Sequence, residues 1–501
     1  MHAKPIRRVV IVGGGTAGWM TAAALARFLG QSGCRIVLIE SEAIGTVGVG
    51  EGTIPPVLEF NQMLGIAEAE FLRATKASYK LGIEFVDWGE EGHRYFHQFG
   101  TIGRPVDGID FHQLWLKQRG SGGVGPLSDY TMSAVTAARH RFARPVPQPD
   151  SPLSALSYAF HFDASLYAGF LRRYSEARGA ERIEGRITSV ERNAESGLVE
   201  AVQLDDDRRV KGDLFIDCSG FRSLLLGETM GVPFEDWSHW LPCDRAIAVP
   251  SERTEPLLPF TRSTARPAGW QWRIPLQHRT GNGHVYSSAH MDDGEAERLL
   301  VEGLDGKTVG GFNRLRFTAG RRSRAWEGNV VAIGLSAGFL EPLESTSIHL
   351  IQRGIQKLLS LFPDRGFSSI ERDEYNRLML DSYDPIRDFI ILHYKATLRS
   401  GPFWDHVREM AVPDSLQHKL DLFAQRGRTF RTNDELFDVP SWVAVMLGQG
   451  VVPATHDPLA DALPDAQLLG AMAELRASYA AAADELPTAS DFIEREIAGR
   501  A

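Results

Sequence analysis

The sequence predicts an α/β protein with an associated, mainly helical lobe, and three observations carry that reading. A β-branched run, Arg8 to Val12, precedes three consecutive glycines and the helix-forming stretch "AGWMTAAALARFLG", which ends at Gly30; "CRIVLIE" then supplies a second strand. Two later apolar runs, "DLFIDCSG" from Asp213 and "NVVAIGLSAG" from Asn329, end in small residues, as buried strands do where a ligand approaches. From His349 onward the pattern is helical, through "LIQRGIQKLLSLF", "RDEYNRLMLDSYDPIRDFIILHYKATL" and a last segment with Leu468, Met472, Leu475 and Tyr479 on one face. The expected division therefore falls near residue 350, with an α/β domain over 1–350 that carries substrate-facing insertions and a helical lobe over 351–501.

Composition narrows the function classes. A chain of 501 residues, 43% hydrophobic and 24% charged, has room for two or three lobes around substantial cores. Its formal net charge of -10 provides no footprint for nucleic acid or an anionic membrane. The three cysteines, Cys34, Cys218 and Cys243, are odd in number and widely spaced, so neither a disulfide framework nor a cysteine-based metal site is expected, and the cytoplasm is the default compartment. The basic "KPIRR" before an apolar run imitates a secretory signal, but the glycines interrupt that run. No apolar stretch approaches the roughly 20 residues that span a bilayer.

Gly13, Gly15 and Gly18 form G-x-G-x-x-G between strand and helix, with Thr16 and Ala17 opening the helix. Glu40 ends the next strand about twenty residues on, where a carboxylate binds a ribose hydroxyl. This is the fingerprint of a Rossmann-like dinucleotide unit, in which the pyrophosphate sits on amides at the helix N-terminus. The glycines leave NAD and FAD both open. A second segment, "WQWRIP", puts Trp270, Trp272 and Ile274 on one face of a strand closed by Pro275. Taken alone it is a core wall.

"GGGTAGWM", "VGEGTIP", "SYKLG", "WQWRIP" and "EPLESTSI", followed by "RDFIILHY" and "SWVAVMLGQG", occur in an order and spacing that resemble the flavin-dependent tryptophan and indole halogenases over nearly the whole chain. The resemblance implies a glutathione-reductase-type fold and selects FAD, reduced by a separate NADH-dependent flavin reductase, with chloride or bromide as cosubstrate and a small aromatic as substrate. It implies cofactor contacts from Gly13, Gly15, Thr16, Ala17, Gly18, Glu40, Gly334, Leu335 and Ile348. By the same resemblance Trp270, Trp272, Ile274 and Pro275 line the passage beside the flavin and separate it from the organic substrate. Lys80 directs the halogenating species and Glu344 assists ring substitution as a base, while Lys76 and Glu341 are their nearby decoys. On its residues alone Lys80 reads as a surface charge, and only the motif selects it.

The resemblance further assigns Thr346 and Ser347 to the halide, and His97 and Phe99 to stacking on the substrate ring. Ser347 departs from the glycine found in tryptophan halogenases, which affects halide fit. Between Phe430 and Val452 the sequence lacks the tyrosine pair and downstream glutamate that hold an amino acid's charged end, so indole or a substituted indole is expected rather than free tryptophan. No metal is expected, and a homodimer is left open. Two alternatives remain: a flavin-dependent aromatic monooxygenase, opposed by Lys80, Glu344 and the tryptophan barrier, and a flavin-binding protein without turnover.

Overall fold

The computed structural model describes residues 4–43, 50–432 and 434–499; Val49 of the "VGEGTIP" motif lies outside them. The first strand, β1 (Arg8–Val12), is followed by α1 (Thr16–Leu29) and β2 (Arg35–Glu40). β1 pairs in parallel with β2 on one side and with Leu214–Asp217 on the other. Glu181–Glu184 extends the sheet beyond β2, and Val330–Ala332 extends it beyond Leu214–Asp217, both in parallel. A short antiparallel edge, Trp326–Glu327, completes six strands. The two small-residue runs thus end beside the glycine loop, at the carboxyl ends of parallel strands, where α/β proteins bind ligands.

A seven-stranded sheet stands apart from this unit, in the order Asn313–Arg316, Arg245–Ser251, Thr280–Tyr286, Gly269–Pro275, Thr261–Arg266, Gly82–Val86, Arg94–Gln98. A three-stranded sheet has Ala159–Phe162 between Glu51–Gly52 and Ser78–Lys80. We label Ser78–Lys80 β3, Arg94–Gln98 β4, Ala159–Phe162 β5 and Gly269–Pro275 β6.

Every regular element described after residue 350 is helical. The α2 helix (Ser347–Ser360) crosses residue 350 itself, and α3 (Ser369–Lys395) runs through Pro385 to a buried "FIILHY" end. Leu468, Met472 and Tyr479 of the Asp465–Asp484 helix are buried and Leu475 packs beside them, as the helical spacing requires. Among the described residues no helix is long and apolar enough to cross a membrane.

Candidate active site

A cavity of about 690 Å³ opens at the carboxyl ends of β1 and β2. Gly13 adopts φ +110, and a Cβ there would lie 2.2 Å from the Cys218 carbonyl oxygen. At Gly18 a Cβ would lie 1.9 Å from the Gly13 carbonyl oxygen, so only glycine lets helix and strand approach this closely. Gly15, the N-cap of α1, faces open space, which leaves its backbone accessible to an anion. Thr16, Ala17, Glu40, Leu335 and Ile348 line the same cavity, whereas Gly18 and Gly334 pack behind it. A Cβ on Gly334 would come within 2.8 Å of the Ala17 side chain. Glu40 is already engaged: it accepts hydrogen bonds from Arg182 Nε at 2.5 Å and the Trp19 indole at 3.3 Å.

Beyond one wall of this cavity lies a knot of buried polar side chains. Lys80, at the end of β3, has no solvent exposure, and its Nζ donates to Ser345 Oγ at 2.7 Å. Burial lowers its ammonium to about 7, against the opposing field of Glu344. The Phe99 ring centroid stands 5.4 Å from Nζ, within cation–π reach. Lys76 is exposed and caps a short helix in a left-handed conformation, so it takes no part.

Glu344 ends a tight 3-10 turn, Pro342–Glu344, and is also fully buried. Its two oxygens meet His97 Nδ1 at 2.9 Å and His393 Nε2 at 2.8 Å. Burial acts to raise this carboxyl, but His97 and His393 outweigh it and hold Glu344 at about 2. His393 is itself pushed down by burial, against the opposing field of Glu344. His393 Nδ1 faces the Tyr95 hydroxyl at 3.0 Å, while His97 Nε2, His393 Nε2 and Glu344 Oε1 are buried with no hydrogen-bond partner among the described residues. The structure therefore brings Lys80, Glu344, and the neighbouring His97 and Phe99 together from three separate segments.

The "WQWRIP" strand supplies the wall. Trp272 and Ile274 line the cavity; the Trp272 indole N–H is buried without a partner among the described residues, and its ring lies where a Cβ on Gly283 would come within 2.1 Å. Trp270 does not line the cavity and donates its indole N–H to Glu341 Oε2 at 2.9 Å. The Pro275 carbonyl oxygen accepts from Ser78 Oγ at 2.5 Å, latching β6 to the strand that carries Lys80. Ser347 lines the cavity at the start of α2; Thr346, its N-cap, is buried with Oγ1 unpartnered.

Several participants were absent from the sequence reading. Ser345 lies within "PLEST", yet nothing in the motif's spacing shows that it receives Lys80. His393 lies in "RDFIILHY", on a helix far away in sequence. Glu51 faces the cavity, where loss of hydration raises its carboxyl to about 7. Cys218 to Arg222, the turn after "LFID", also line it. That turn is shaped by Asp217, whose carboxylate accepts backbone amides from Ser219, Leu225 and Leu226. No cluster of three or more metal-ligating side chains occurs among the described residues.

The chain matches the family described as tryptophan halogenase over residues 8–465. It belongs to that family. Among solved structures it is similar to Xcc4156, a flavin-dependent halogenase from Xanthomonas campestris, at 48% identity and a TM-score of 0.95 over 98% of this chain and 99% of that one. BrvH, a flavin-dependent halogenase from Brevundimonas sp. BAL3, gives 49% identity and a TM-score of 0.94 over the same shares. The tryptophan 6-halogenase SttH of Streptomyces toxytricini is 35% identical over 486 residues, 91% of this chain and 92% of its own. This chain is a flavin-dependent halogenase, and the cavity described above is its candidate cofactor site.

Proposed function

We propose that this halogenase uses FAD, reduced by a separate NADH-dependent reductase, to install chloride or bromide on an uncharged, electron-rich aromatic, indole or a substituted indole. The observation that carries the reading is the buried pairing of Lys80 with Ser345 beside ionised Glu344, at the edge of a cavity that Ser345, Trp272 and Ile274 line together. The cavity fits a dinucleotide flavin: it is long enough to run from Glu40 to Ile274, and it presents the open backbone of Gly15. The unpartnered Thr346 hydroxyl at the head of α2 suits a halide, with the Ser347 amide and hydroxyl beside it.

Bound reduced flavin supplies, with oxygen and halide, hypohalous acid on the cavity side. Lys80 is placed to receive it by hydrogen bonding from its ammonium and aim it across the wall. Phe99 and His97 hold a flat ring, and the free His97 Nε2 offers one polar contact to it. Ring halogenation creates a cation; ionised Glu344 stabilises that charge and accepts the departing proton. The helical lobe supports an uncharged substrate. Glu435, buried in the segment where an amino-acid clamp is expected, is already engaged by Lys419 and Thr432. The division near residue 350 is proposed on the all-helical elements that follow it, and a reducing cytoplasm suits three buried, free cysteines.

The test supplies the protein with FAD, a flavin reductase and NADH, and follows indole, tryptophan and a phenol panel by mass spectrometry with bromide, chloride or neither. Expected is a halogen isotope pattern on indole that requires enzyme and halide, with less product on tryptophan. Oxygenated products independent of halide would assign a monooxygenase instead.

A further inference from the structure

"EPLEST" carries two carboxylates, and the reaction above uses only Glu344. Glu341 is buried as completely. Its Oε2 accepts two neutral donors, the Trp270 indole at 2.9 Å and the Tyr394 hydroxyl at 2.5 Å. Its Oε1 is buried with no partner among the described residues. Burial raises this carboxyl to about 7, and the two donors only partly offset that. A buried carboxyl without a cation is costly, so packing alone does not account for it.

Its place in the chain suggests the reason. Glu341 heads the Pro342–Glu344 turn, and Ser345 leaves that turn at φ +59, a left-handed conformation that a serine keeps only when its surroundings impose it. Each end of the segment is gripped from a different element. Glu341 is held by β6 and α3, Glu344 by β4 and α3, and Ser345 by β3. The α3 grip comes from two successive residues, His393 on Glu344 and Tyr394 on Glu341, which point about 100° apart around the helix. Trp270 belongs to this clamp, one layer behind the Trp272 that lines the cavity.

We propose that Glu341 is a positioning residue: it draws Trp270 of the wall strand and Tyr394 of the helical lobe onto the head of the turn, and so sets where Glu344 and Ser345 stand relative to Lys80. The inference rests on the roles proposed above for Lys80 and Glu344.

The experiment compares Trp270→Phe, Tyr394→Phe, Glu341→Leu and Glu341→Gln in the full-length, FAD-loaded protein, with Lys80→Ala and Glu344→Gln alongside. Product per flavin oxidised, KM for indole, FAD affinity and the pH profile are measured, each normalised to bound FAD. Tyr394→Phe removes one hydrogen bond and keeps the ring, and Trp270→Phe removes one while replacing the indole with a smaller ring; product per flavin oxidised should fall about tenfold in each. Glu341→Leu should lose on the order of 100-fold, as a misplacement of about 1 Å does. Indole KM and FAD affinity should stay within about twofold, while the pH limb belonging to Lys80 shifts. Glu341→Gln keeps an oxygen for both donors and places its amide nitrogen where Oε1 has no partner, so it should recover most of the coupling. If the variants melt earlier but the FAD-loaded protein couples normally with an unmoved pH limb, Glu341 is packing only and the proposal is wrong. Equal damage in Glu341→Gln and Glu341→Leu would also overturn it. Product from Lys80→Ala or Glu344→Gln would instead remove the reading on which the proposal rests, so the two failures are distinguishable.

Discussion

The cofactor cavity and the buried turn beside it meet at Ser345, which lines the cavity and accepts from Lys80, and they are built on different plans. The cavity presents glycines, aliphatic side chains and open hydrogen-bonding groups: the backbone at Gly15, the carboxyl of Glu51 and the Trp272 indole. Beside it the charged groups are already engaged inside the protein, Lys80 on Ser345, Glu344 Oε2 on His97 and Glu341 Oε2 on Trp270 and Tyr394, while His97 Nε2, His393 Nε2, Glu344 Oε1 and Glu341 Oε1 have no hydrogen-bond partner among the described residues. A region that must receive a large polar group leaves capacity free for it. A region that acts on a small reagent passing through is assembled in advance, because reorganising a buried charge during the reaction would be costly.

The most severe way to break this comparison is Lys80→Ala. Halogenated product should fall on the order of 10³-fold while FAD binding and flavin oxidation persist, since the cavity keeps all its own groups. Near-normal product, read by mass spectrometry against a parallel flavin-oxidation assay, would remove Lys80 from the chemistry. A smaller effect is expected from replacing Trp270 and Trp272 together by alanine, which opens the wall and weakens the clamp at once. Product per flavin oxidised should drop on the order of tenfold; unchanged coupling and stability would mean that neither tryptophan separates the two regions.

The mildest test is pH. Burial lowers Lys80 to about 7 from an ordinary 10.5. If the ammonium directs hypohalous acid, halogenation should halve near pH 7 and fall about tenfold per unit well above it. Stability should move the other way. Between about 7 and 10.5 the unfolded chain holds the Lys80 proton and the folded chain does not, so unfolding free energy rises with pH across that interval. An activity that instead grows through pH 7 would assign the neutral amine, and with it a haloamine route.

The two regions also differ in how far the sequence discloses them. The strand, glycine turn and helix were legible because backbone geometry allows few residues at Gly13 and Gly18, and the same physics made Glu40 readable at the end of the next strand. The helical lobe followed from periodicity. The buried turn was not legible in that way: propensity treats Lys76 and Lys80 alike, and Glu341 and Glu344 alike, and only the family motif chose between them. Tertiary structure decides which of these charges is buried. Ser345, His393 and Tyr394 become visible only when strands and α3 converge, since contacts across 265, 49 and 53 residues leave no local pattern.

Gly52 lies where three of those segments cross. A Cβ there would stand 2.7 Å from Ser345 Oγ and 3.3 Å from Lys80 Nζ. Mutational tolerance across the molecule is therefore uneven in a way that side-chain chemistry does not reveal. At position 52 even one added methyl group would crowd the lysine and serine whose contact the proposed reaction uses.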